Sequence, residues 1–222
     1  GGHGQCFSVL RGVFSDLHDA GVRFIQIGNI DNLANTVDEV ALAVLALSDS
    51  RAAFDFAFRT PVDVKGGVLV RTTEGRLTCA DIGPAVAFSD IEAHEAQGKA
   101  ALFNCATGLF KLTDLVESID RIISRLPLRL SDQDKDAGQY SQAEQVTWEI
   151  MGILPRPLVF AVEKPSRFLA AKLLVENLLT SGFRLEEARR SEPEQTRRIV
   201  SLAYRLHYGL IRKLMGPYGL EI

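Results

Sequence analysis

The sequence is poor in cysteine, has no long apolar run and carries no strong excess of charge of either sign. Its three cysteines are widely spaced, odd in number and free of any Cys-x-x-Cys or Cys/His pairing, so neither a disulfide framework nor a zinc site is predicted. No signal peptide is visible, and no apolar stretch approaches the roughly 20 residues of a membrane-spanning helix. These absences predict a cytoplasmic protein with no membrane partner.

What is present describes an ordinary globular chain. Of its 222 residues, 46% are apolar and 24% are charged, and the net charge is −3. This composition supports a sizeable buried core, and the charge balance gives no reason to expect a nucleic-acid partner. No Ser/His/Asp or Cys/His arrangement indicates a protein nucleophile.

Apolar periodicity predicts alternating strands and helices. Helical spacing covers about 5–20, 37–47, 89–97, 112–125, 140–153 and 166–179, and strand patterns cover 22–27, 52–58, 100–105, 128–130 and 157–162. Two short strands flank Glu74 and Gly75, where a β-hairpin is predicted, and 131–142 is predicted to be a polar loop. The pattern favours an α/β fold with a mixed sheet.

The end of the chain differs from the rest. Residues 184–222 hold eight basic and five acidic residues, which leaves residues 1–183 at −6. Ile199, Leu202, Leu206 and Leu210 fall on one helical face. We therefore predict a domain over 1–183 and a helical segment over 184–222, which either packs on the domain or binds a partner.

One predicted strand delivers amide and carboxylate side chains to its tip, because the apolar run FIQI is followed directly by GNIDN. Open α/β sheets bind ligands beyond the carboxyl ends of their strands. The carboxylate of Asp31 suits Mg²⁺ or a ribose hydroxyl, and the amide of Asn29 suits a sugar or a base edge. Alternatively, Asp31 and Asn32 end the strand and cap the next helix, although Thr36 and Asp38 are better placed for that cap.

The chain opens with a histidine between two glycines, His3 between Gly2 and Gly4. Because glycine has no side chain, the backbone at this point can approach a base or a sugar closely. The other interpretation of these residues is a flexible terminus.

A lysine also precedes a pair of glycines, Lys65 before Gly66 and Gly67. Glycines expose backbone amides and lysine adds a point charge, so this segment has the composition of a phosphate- or sugar-facing loop. Taken alone, it equally suits a glycine-rich bend before a hairpin.

Six motifs follow one another in the order of a known family. They are GHG at 2–4, GNIDNLANTVD at 28–38, TPVDVKGG at 60–67, FN at 103–104, SQAEQV at 141–146 and SRFLAAK at 166–172. In this order and with these spacings, they resemble the UTP:sugar-1-phosphate uridylyltransferase family. The likeness is closest to the UTP–glucose-1-phosphate uridylyltransferases, also called UDP-glucose pyrophosphorylases, and covers residues 2–179.

The resemblance implies a Rossmann-like, glycosyltransferase-A-type nucleotidyltransferase domain. It implies an enzyme that uses Mg²⁺ as a cofactor and joins glucose 1-phosphate to UTP. The products are UDP-glucose and pyrophosphate. Members of the family carry a glycine-rich nucleotide-binding motif upstream of the GHG motif. We therefore expect this chain to be the sugar-binding, carboxyl-terminal part of a longer domain, to need the missing part of its own polypeptide, and to be inactive alone.

The resemblance also implies roles for single residues. It assigns the Gly2–Gly4 segment to the nucleotide and sugar site, and Asn29 and Asp31 to the nucleotide-sugar diphosphate, with Asp31 near the metal. Sugar contacts fall to Asp81, which is one methylene shorter than the glutamate usual there, and to Asn104. The other implied residues are Lys65 and Lys172 at the phosphates, Gly66 and Gly67 in the loop, Gln142 and Glu144 flanking the site, and Arg167 anchoring its loop.

Two other functions remain open. The family commonly has FNTNN where this chain has FNCAT, so the contacts around Asp81 and Asn104 do not separate a UDP-glucose enzyme from a UDP-N-acetylhexosamine or broad UDP-sugar pyrophosphorylase. The chain alone also suits a non-catalytic module that binds nucleotide sugars or a partner chain.

Overall fold

A six-stranded mixed sheet organises most of the described chain. The computed structural model describes residues 2–60, 63–64, 66–83, 85–135, 138–170 and 208. The chain divides into a first unit, Gly1–Ile27 with Val37–Ala161, and a second unit, Gly28–Thr36 with Val162–Ile222. The predicted boundary between 183 and 184 lies outside the described residues and stays a prediction.

The described elements follow the predicted alternation. The helices are α1 Cys6–Val9, α2 Arg11–Asp19, α3 Glu39–Leu47, α4 Phe88–Ala96, α5 Leu112–Arg125 and α6 Lys164–Arg167, with 3₁₀ helices at His3–Gln5 and Thr147–Gly152. The strands are β1 Phe24–Gly28, β2 Ala52–Phe58, β3 Gly67–Arg71, β4 Leu77–Asp81, β5 Leu102–Lys111, β6 Leu128–Lys135, β7 Gly138–Gln145 and β8 Leu158–Val162.

The sheet has the strand order β4-β3-β5-β2-β8, and β1 pairs with β5 off this path. β5 is antiparallel to both β2 and β3, and β3 forms the predicted hairpin with β4. A second sheet consists of β6 and β7 alone. The predicted α/β fold with a mixed sheet is confirmed.

The core of the first unit lies along β2. Phe54 and Phe56 are each 1% exposed, and Phe54 meets Phe110 of β5 edge to face with 5.6 Å between ring centroids, a geometry that aromatic pairs favour. Leu45 of α3 is fully buried, and Asp38 caps that helix by accepting the Val40 and Ala41 N–H groups at 3.0 Å. The sequence-based assignment of the cap to this segment is confirmed.

β5 continues past the point where the sequence predicted its end at Cys105. It runs to Lys111, and its pairing with β2 shifts between Phe54 and Phe56. Ala106 has a φ of 51°, an uncommon conformation for a residue other than glycine. Because of this irregularity, the part of β5 after Cys105 does not show the simple alternation that predicts a strand, while Asn104 lies inside β5, as predicted.

The prediction for 131–153 was wrong over most of its length. Residues predicted as a polar loop and as the start of a helix instead pair continuously, from Leu128 with Gln145 to Lys135 with Gly138. Ser141 donates to Asp132 across the pair at 2.6 Å. The paired strand continues to Gln145. Of the predicted helix, the structure therefore contains only a 3₁₀ helix at Thr147–Gly152.

The helix predicted over 166–179 was wrong at its start. α6 ends at Arg167 because Phe168 is extended, with a φ of −141°, and Ala170 forms an antiparallel bridge with Asn32. The rest of that prediction, and the helical segment at 184–222 apart from Tyr208, lie outside the described residues. Among the helices that the structure describes, none has the length and apolar character needed to cross a membrane.

Candidate functional site

Two predicted site residues, Asp81 and Asn104, lie beside Gly67 of the main sheet. Gly67 pairs with Asp81 at the end of the β3–β4 hairpin. A Cβ placed on Gly67 would collide with Cys79 Sγ and would lie 3.4 Å from Asp81 Oδ1 and 3.6 Å from Asn104 Cβ. Gly67 therefore allows close packing: Cys79 Sγ occupies the space that a side chain would need, and Asp81 and Asn104 lie beside the same residue.

Asp81 presents a carboxylate with no hydrogen bond to any described residue. It is partly buried. Burial raises the pKa of Asp81 above its ordinary value of 3.8, and the negative charge of Glu144 raises it further, while His3 and Arg129 act in the opposite direction. A carboxylate in this environment gains from accepting hydrogen bonds.

Asn104 is oriented by its own strand. Its Oδ1 accepts the Ala106 N–H at 3.0 Å, which fixes the amide because the oxygen and nitrogen are then distinguishable. Its Nδ2 has no acceptor among the described residues. Asn104 thus adds a hydrogen-bond donor beside the carboxylate of Asp81.

The two glycines around His3 serve packing against β7. A Cβ on Gly2 would lie 2.6 Å from Glu144 Cβ and 2.6 Å from the Gln145 carbonyl oxygen, and a Cβ on Gly4 would lie 2.7 Å from that same oxygen. Gly2 also has a φ of 86°, which other residues rarely adopt. The two glycines therefore allow the backbone to pack closely against β7, and their predicted contact with a base or a sugar stays a prediction.

His3 is held in one tautomer by Thr147. Its Nδ1 accepts the Thr147 N–H at 3.1 Å and lies 2.7 Å from the Thr147 hydroxyl oxygen, so the ring proton is on Nε2. Burial of part of the ring lowers the pKa of His3, although Glu144 and Asp81 oppose that change. This residue is a neutral donor at neutral pH, and the interpretation of a flexible terminus was wrong.

Two polar residues of this region were missed by sequence reasoning. Thr147 was assigned to a helix, and no motif marks it as the partner of His3. Glu149 accepts from Arg129 at 2.9 Å and 2.8 Å through Oε1, while its Oε2 is buried without a partner in the described part of the chain. Burial raises the pKa of Glu149, with Arg129 acting against that rise.

Glu144 of β7 belongs to the same group of polar residues in the first unit. Gln142 donates to its Oε2 at 3.1 Å, and its charge acts on both Asp81 and His3. Five of the predicted site residues thus lie close together in the first unit: His3, Gly67, Asp81, Asn104 and Glu144. Gly66 lies beside Gly67, is exposed and has a φ of 111°.

The second unit contains the GNIDN loop. Asn32 is 4% exposed. It donates to the Arg167 carbonyl at 3.0 Å and accepts the Leu169 N–H at 2.9 Å. Arg167 in turn donates to the Thr36 carbonyl at 2.8 Å. The expectation that Arg167 anchors its loop is confirmed, and Asn32 is a structural residue of the same network.

Asn29 and Asp31 lie on that loop and are partly buried. A turn bond joins the Asn29 carbonyl to the Asn32 N–H at 3.0 Å. Nearby, Gly28 leaves room for the side chain of Asn35, which a Cβ on Gly28 would overlap. The loop is therefore shaped by Gly28, Asn32 and Asn35, while Asn29 and Asp31 stay candidates for ligand contact.

The phosphate-binding and metal predictions are not tested by these contacts. Lys65 and Lys172 lie outside the described residues. Within the described ranges, no group of three His, Cys, Asp or Glu side chains is arranged to hold a metal ion. The described part of the site is thus a set of hydrogen-bonding groups.

Comparisons with known proteins agree with these motifs. The sequence model of the UTP–glucose-1-phosphate uridylyltransferase family matches residues 1–203. A curated UTP–glucose-1-phosphate uridylyltransferase from Encephalitozoon cuniculi is 35% identical over 71 residues, which are 31% of this chain and 14% of that protein.

Solved structures show the same fold. The UDP-glucose phosphorylase of Trypanosoma brucei matches with a TM-score of 0.66 and 24% identity, over 80% of this chain and 40% of that one. A Leishmania major UDP-glucose pyrophosphorylase mutant in complex with UDP-glucose matches with a TM-score of 0.64 and 23% identity, over 80% and 41%. A structure described as a putative UDP-N-acetylglucosamine pyrophosphorylase from Entamoeba histolytica matches with a TM-score of 0.63 and 17% identity, over 77% and 46%.

This chain spans less than half the length of each of these relatives. The family match nevertheless includes every motif that the sequence presents, from the GHG segment to the lysine of SRFLAAK. The chain belongs to the UTP–glucose-1-phosphate uridylyltransferase family.

Proposed function

We propose that this chain supplies the sugar-binding part of a uridylyltransferase that forms UDP-glucose and pyrophosphate from UTP and glucose 1-phosphate. The observation that carries the proposal is that Asp81 and Asn104 both lie beside Gly67, and that the Asp81 carboxylate and the Asn104 Nδ2 have no hydrogen-bond partner among the described residues. Membership of the family supports the reaction type, and the Leishmania major relative was solved with UDP-glucose.

The described groups suit a hexose. Sugar hydroxyls both donate and accept hydrogen bonds. Asp81 accepts from one hydroxyl, and the Asn104 Nδ2 donates to another. The neutral His3 ring donates from Nε2 to an oxygen of the nucleotide sugar. These groups are partly shielded from water, which strengthens each bond relative to solution.

The two lysines act on the phosphates in this proposal. Transfer of the uridylyl group passes through a strongly anionic centre at the α-phosphorus, so positive charge and alignment contribute more than a protein nucleophile. Lys65 and Lys172 supply that charge. Neither lies within the described residues, and their roles rest on the motifs alone.

A magnesium ion suits the loop that carries Asp31. Mg²⁺ commonly uses one or two protein carboxylates and completes its shell with water and substrate phosphates. Asp31 offers one such carboxylate, and no described group of three ligands competes for the ion. When bound, Mg²⁺ offsets negative charge on the phosphates, while Asp31 holds it and Asn29 hydrogen-bonds the nucleotide sugar.

Calorimetric titration of UDP-glucose into the 222-residue chain, beside an Asp81→Asn variant, tests the site. We expect weak binding that falls by about tenfold or more in the variant, because one charge-assisted hydrogen bond is lost. A parallel titration with UDP-N-acetylglucosamine tests the sugar. Equal binding by Asp81→Asn would remove Asp81 from the proposed site, and stronger binding of the N-acetylated sugar would replace glucose as the proposed substrate.

A further inference from the structure

The guanidinium of Arg129 is held by the 3₁₀ helix Thr147–Gly152. Glu149 Oε1 accepts from Arg129 Nε at 2.9 Å and lies 2.8 Å from Arg129 Nη2, so two donors of one planar group meet the same oxygen. The Glu149 side chain is 10% exposed, and its Oε2 is buried without a partner in the described part of the chain. Arg129 therefore supplies the hydrogen bonds that the structure describes for this carboxylate.

A second carboxylate lies directly across the β6–β7 hairpin from Arg129. Arg129 is opposite Glu144 in the register of the two strands. Residues opposite each other in an antiparallel pair have side chains on the same face, with Cβ atoms about 4.5–5.5 Å apart. Because the charge of Glu144 also raises the pKa of Asp81, this face of the hairpin carries a group that acts on the proposed sugar contact.

The third carboxylate is that of Asp81, at the end of β4. The 3₁₀ helix packs against β4 so closely that a Cβ on Gly152 would lie 2.9 Å from Thr78 Oγ1. The charge of Arg129 lowers the pKa of Asp81, and the charge of Asp81 raises the pKa of Glu149. Three carboxylates are therefore within electrostatic reach of one guanidinium.

Positive charge is scarce in this group of side chains. His3 is the other basic residue whose charge acts on Asp81. Burial lowers the pKa of His3 below 6.5, so its ring is already neutral in mildly acid solution. A guanidinium keeps its charge throughout the range in which carboxylates titrate. Among the described groups that act on Asp81, Arg129 is thus the permanent cation.

We propose that Arg129 is a positioning residue that keeps the Asp81 carboxylate ionised for contact with the sugar. Glu149 fixes the guanidinium through one oxygen, at a place from which its charge also reaches Asp81. Without that charge, burial and Glu144 hold the proton on Asp81 to a higher pH, and a protonated carboxyl donates where the site needs an acceptor. The sugar contact rests on the proposed function, whereas the effect of Arg129 on Asp81 does not.

The effect on Asp81 is tested in the unliganded 222-residue chain by a carbon NMR titration of its carboxyl group, with the signal assigned from Asp81→Asn. Arg129→Gln removes the charge and keeps hydrogen-bonding groups, while Arg129→Lys keeps the charge. Arg11→Gln is the matched control, because Arg11 is 55% exposed and pairs with Asp120 at 2.8 Å on the surface. The Asp81 midpoint should move to higher pH in Arg129→Gln and stay in place in the other two variants.

Calorimetric titration of UDP-glucose into the same variants, at about pH 5 and about pH 7.5, tests the consequence for binding. Arg129→Gln should weaken binding roughly threefold or more at the lower pH. It should have a much smaller effect at the higher pH, where Asp81 is ionised in every variant that contains it. Arg129→Lys should restore binding at the lower pH.

An Asp81 midpoint that is the same in Arg129→Gln and in the unsubstituted protein would overturn the proposal. Equal weakening at both pH values, which Arg129→Lys does not restore, would also overturn it and assign Arg129 a purely structural role. A raised midpoint with unchanged binding at the lower pH would support the effect of Arg129 on Asp81, and would count against the sugar contact in the proposed function.

Discussion

Gly67 is the residue on which the candidate site most directly depends. We expect Gly67→Ala to lower the affinity for UDP-glucose by roughly tenfold or more, because the new Cβ meets Cys79 Sγ and fills the space beside Asp81. Crowding of this kind costs about 1–3 kcal/mol of folding stability. Calorimetry and urea denaturation of the same samples measure both effects.

Gly12→Ala is the matched control for that substitution. Gly12 lies in α2, and a Cβ there meets nothing within 4 Å. We expect it to keep UDP-glucose affinity and to gain roughly 0.5–1 kcal/mol of stability from helix propensity. Similar UDP-glucose binding by the two alanine variants would show that the packing at Gly67 does not position the ligand-binding residues.

The titration of Asp81 gives a pH prediction. The pKa of this residue is raised above 3.8, mainly by burial, and the ionised carboxylate is the form that accepts hydrogen bonds. UDP-glucose affinity should therefore rise with pH through the raised pKa. Asp81→Asn should remove that rise. Affinity measured between about pH 4 and 7 decides the point, and an unchanged profile in the variant would assign the rise to another group.

The same raised pKa has the opposite effect on folding without ligand. Because the folded state holds the proton more tightly than the unfolded state, the Asp81 contribution to stability is greatest below 3.8. It declines as pH rises through the folded pKa. Urea midpoints of the unliganded chain should show that decline and lose it in Asp81→Asn.

Lys172 is a prediction at the residue scale that rests on its motif. In the intact natural enzyme, Lys172→Ala should lower turnover by roughly two to three orders of magnitude, as loss of one preorganised charge typically does. Lys99→Ala, which changes an exposed lysine after α4, should leave turnover unchanged. Near-normal turnover by Lys172→Ala would remove this residue from the phosphate site.

At the scale of elements, the β6–β7 hairpin is joined to the 3₁₀ helix by Arg129 and Glu149. The Glu149 side chain is 10% exposed and the Arg129 side chain 52%. Removing Arg129 leaves a buried carboxylate without its partner, so Arg129→Leu should cost about 1–2 kcal/mol at pH 7. The cost should shrink as pH falls, because the pKa of Glu149 is already raised and protonation removes the charge.

Denaturant unfolding at pH 7 and pH 5 measures this change. Adding Glu149→Gln to Arg129→Leu should recover part of the lost stability, since the unpaired charge is then absent. A double variant less stable than Arg129→Leu alone would show that Glu149 stabilises the element by other contacts.

Elements with one clear period were predictable from the sequence. The helix 112–125 was predicted with its observed bounds because Leu115, Ile119 and Ile122 fall on one buried face. The region 131–145 was not, because polar side chains on both faces of a two-stranded hairpin give no apolar alternation. The bulge in β5 likewise depends on pairing with β2, which a local pattern does not contain.

The candidate site was also predictable only in part, because only some of its residues fall in a recognisable motif. Asp81 and Asn104 were named through the family resemblance, and the structure explains them by placing both beside Gly67. Thr147 and Glu149 act through partners far away in sequence, and no motif identifies them. The packing of Gly2 and Gly4 against β7 was not predicted, because the sequence shows that close approach is possible but does not show which element approaches.

At the scale of the whole molecule, we expect the 222-residue chain by itself to bind UDP-glucose without turnover. A site that lacks part of its contacts loses both affinity and preorganisation. The intact natural protein should release pyrophosphate from UTP and glucose 1-phosphate in a Mg²⁺-dependent, reversible reaction. A coupled pyrophosphate assay compares the two, and turnover by the 222-residue chain would contradict the expectation.

The hydrogen bonds of His3 have a consequence for the order in which the chain folds during its synthesis. Its two hydrogen bonds to Thr147 join residues separated by 144 positions. At roughly 5–20 residues per second, the ribosome adds Thr147 about 7–30 s after His3. Closing so long a loop is slow compared with forming helices. His3 therefore lacks these two hydrogen bonds during most of the synthesis of the sheet, and they form only after Thr147 has been added to the chain.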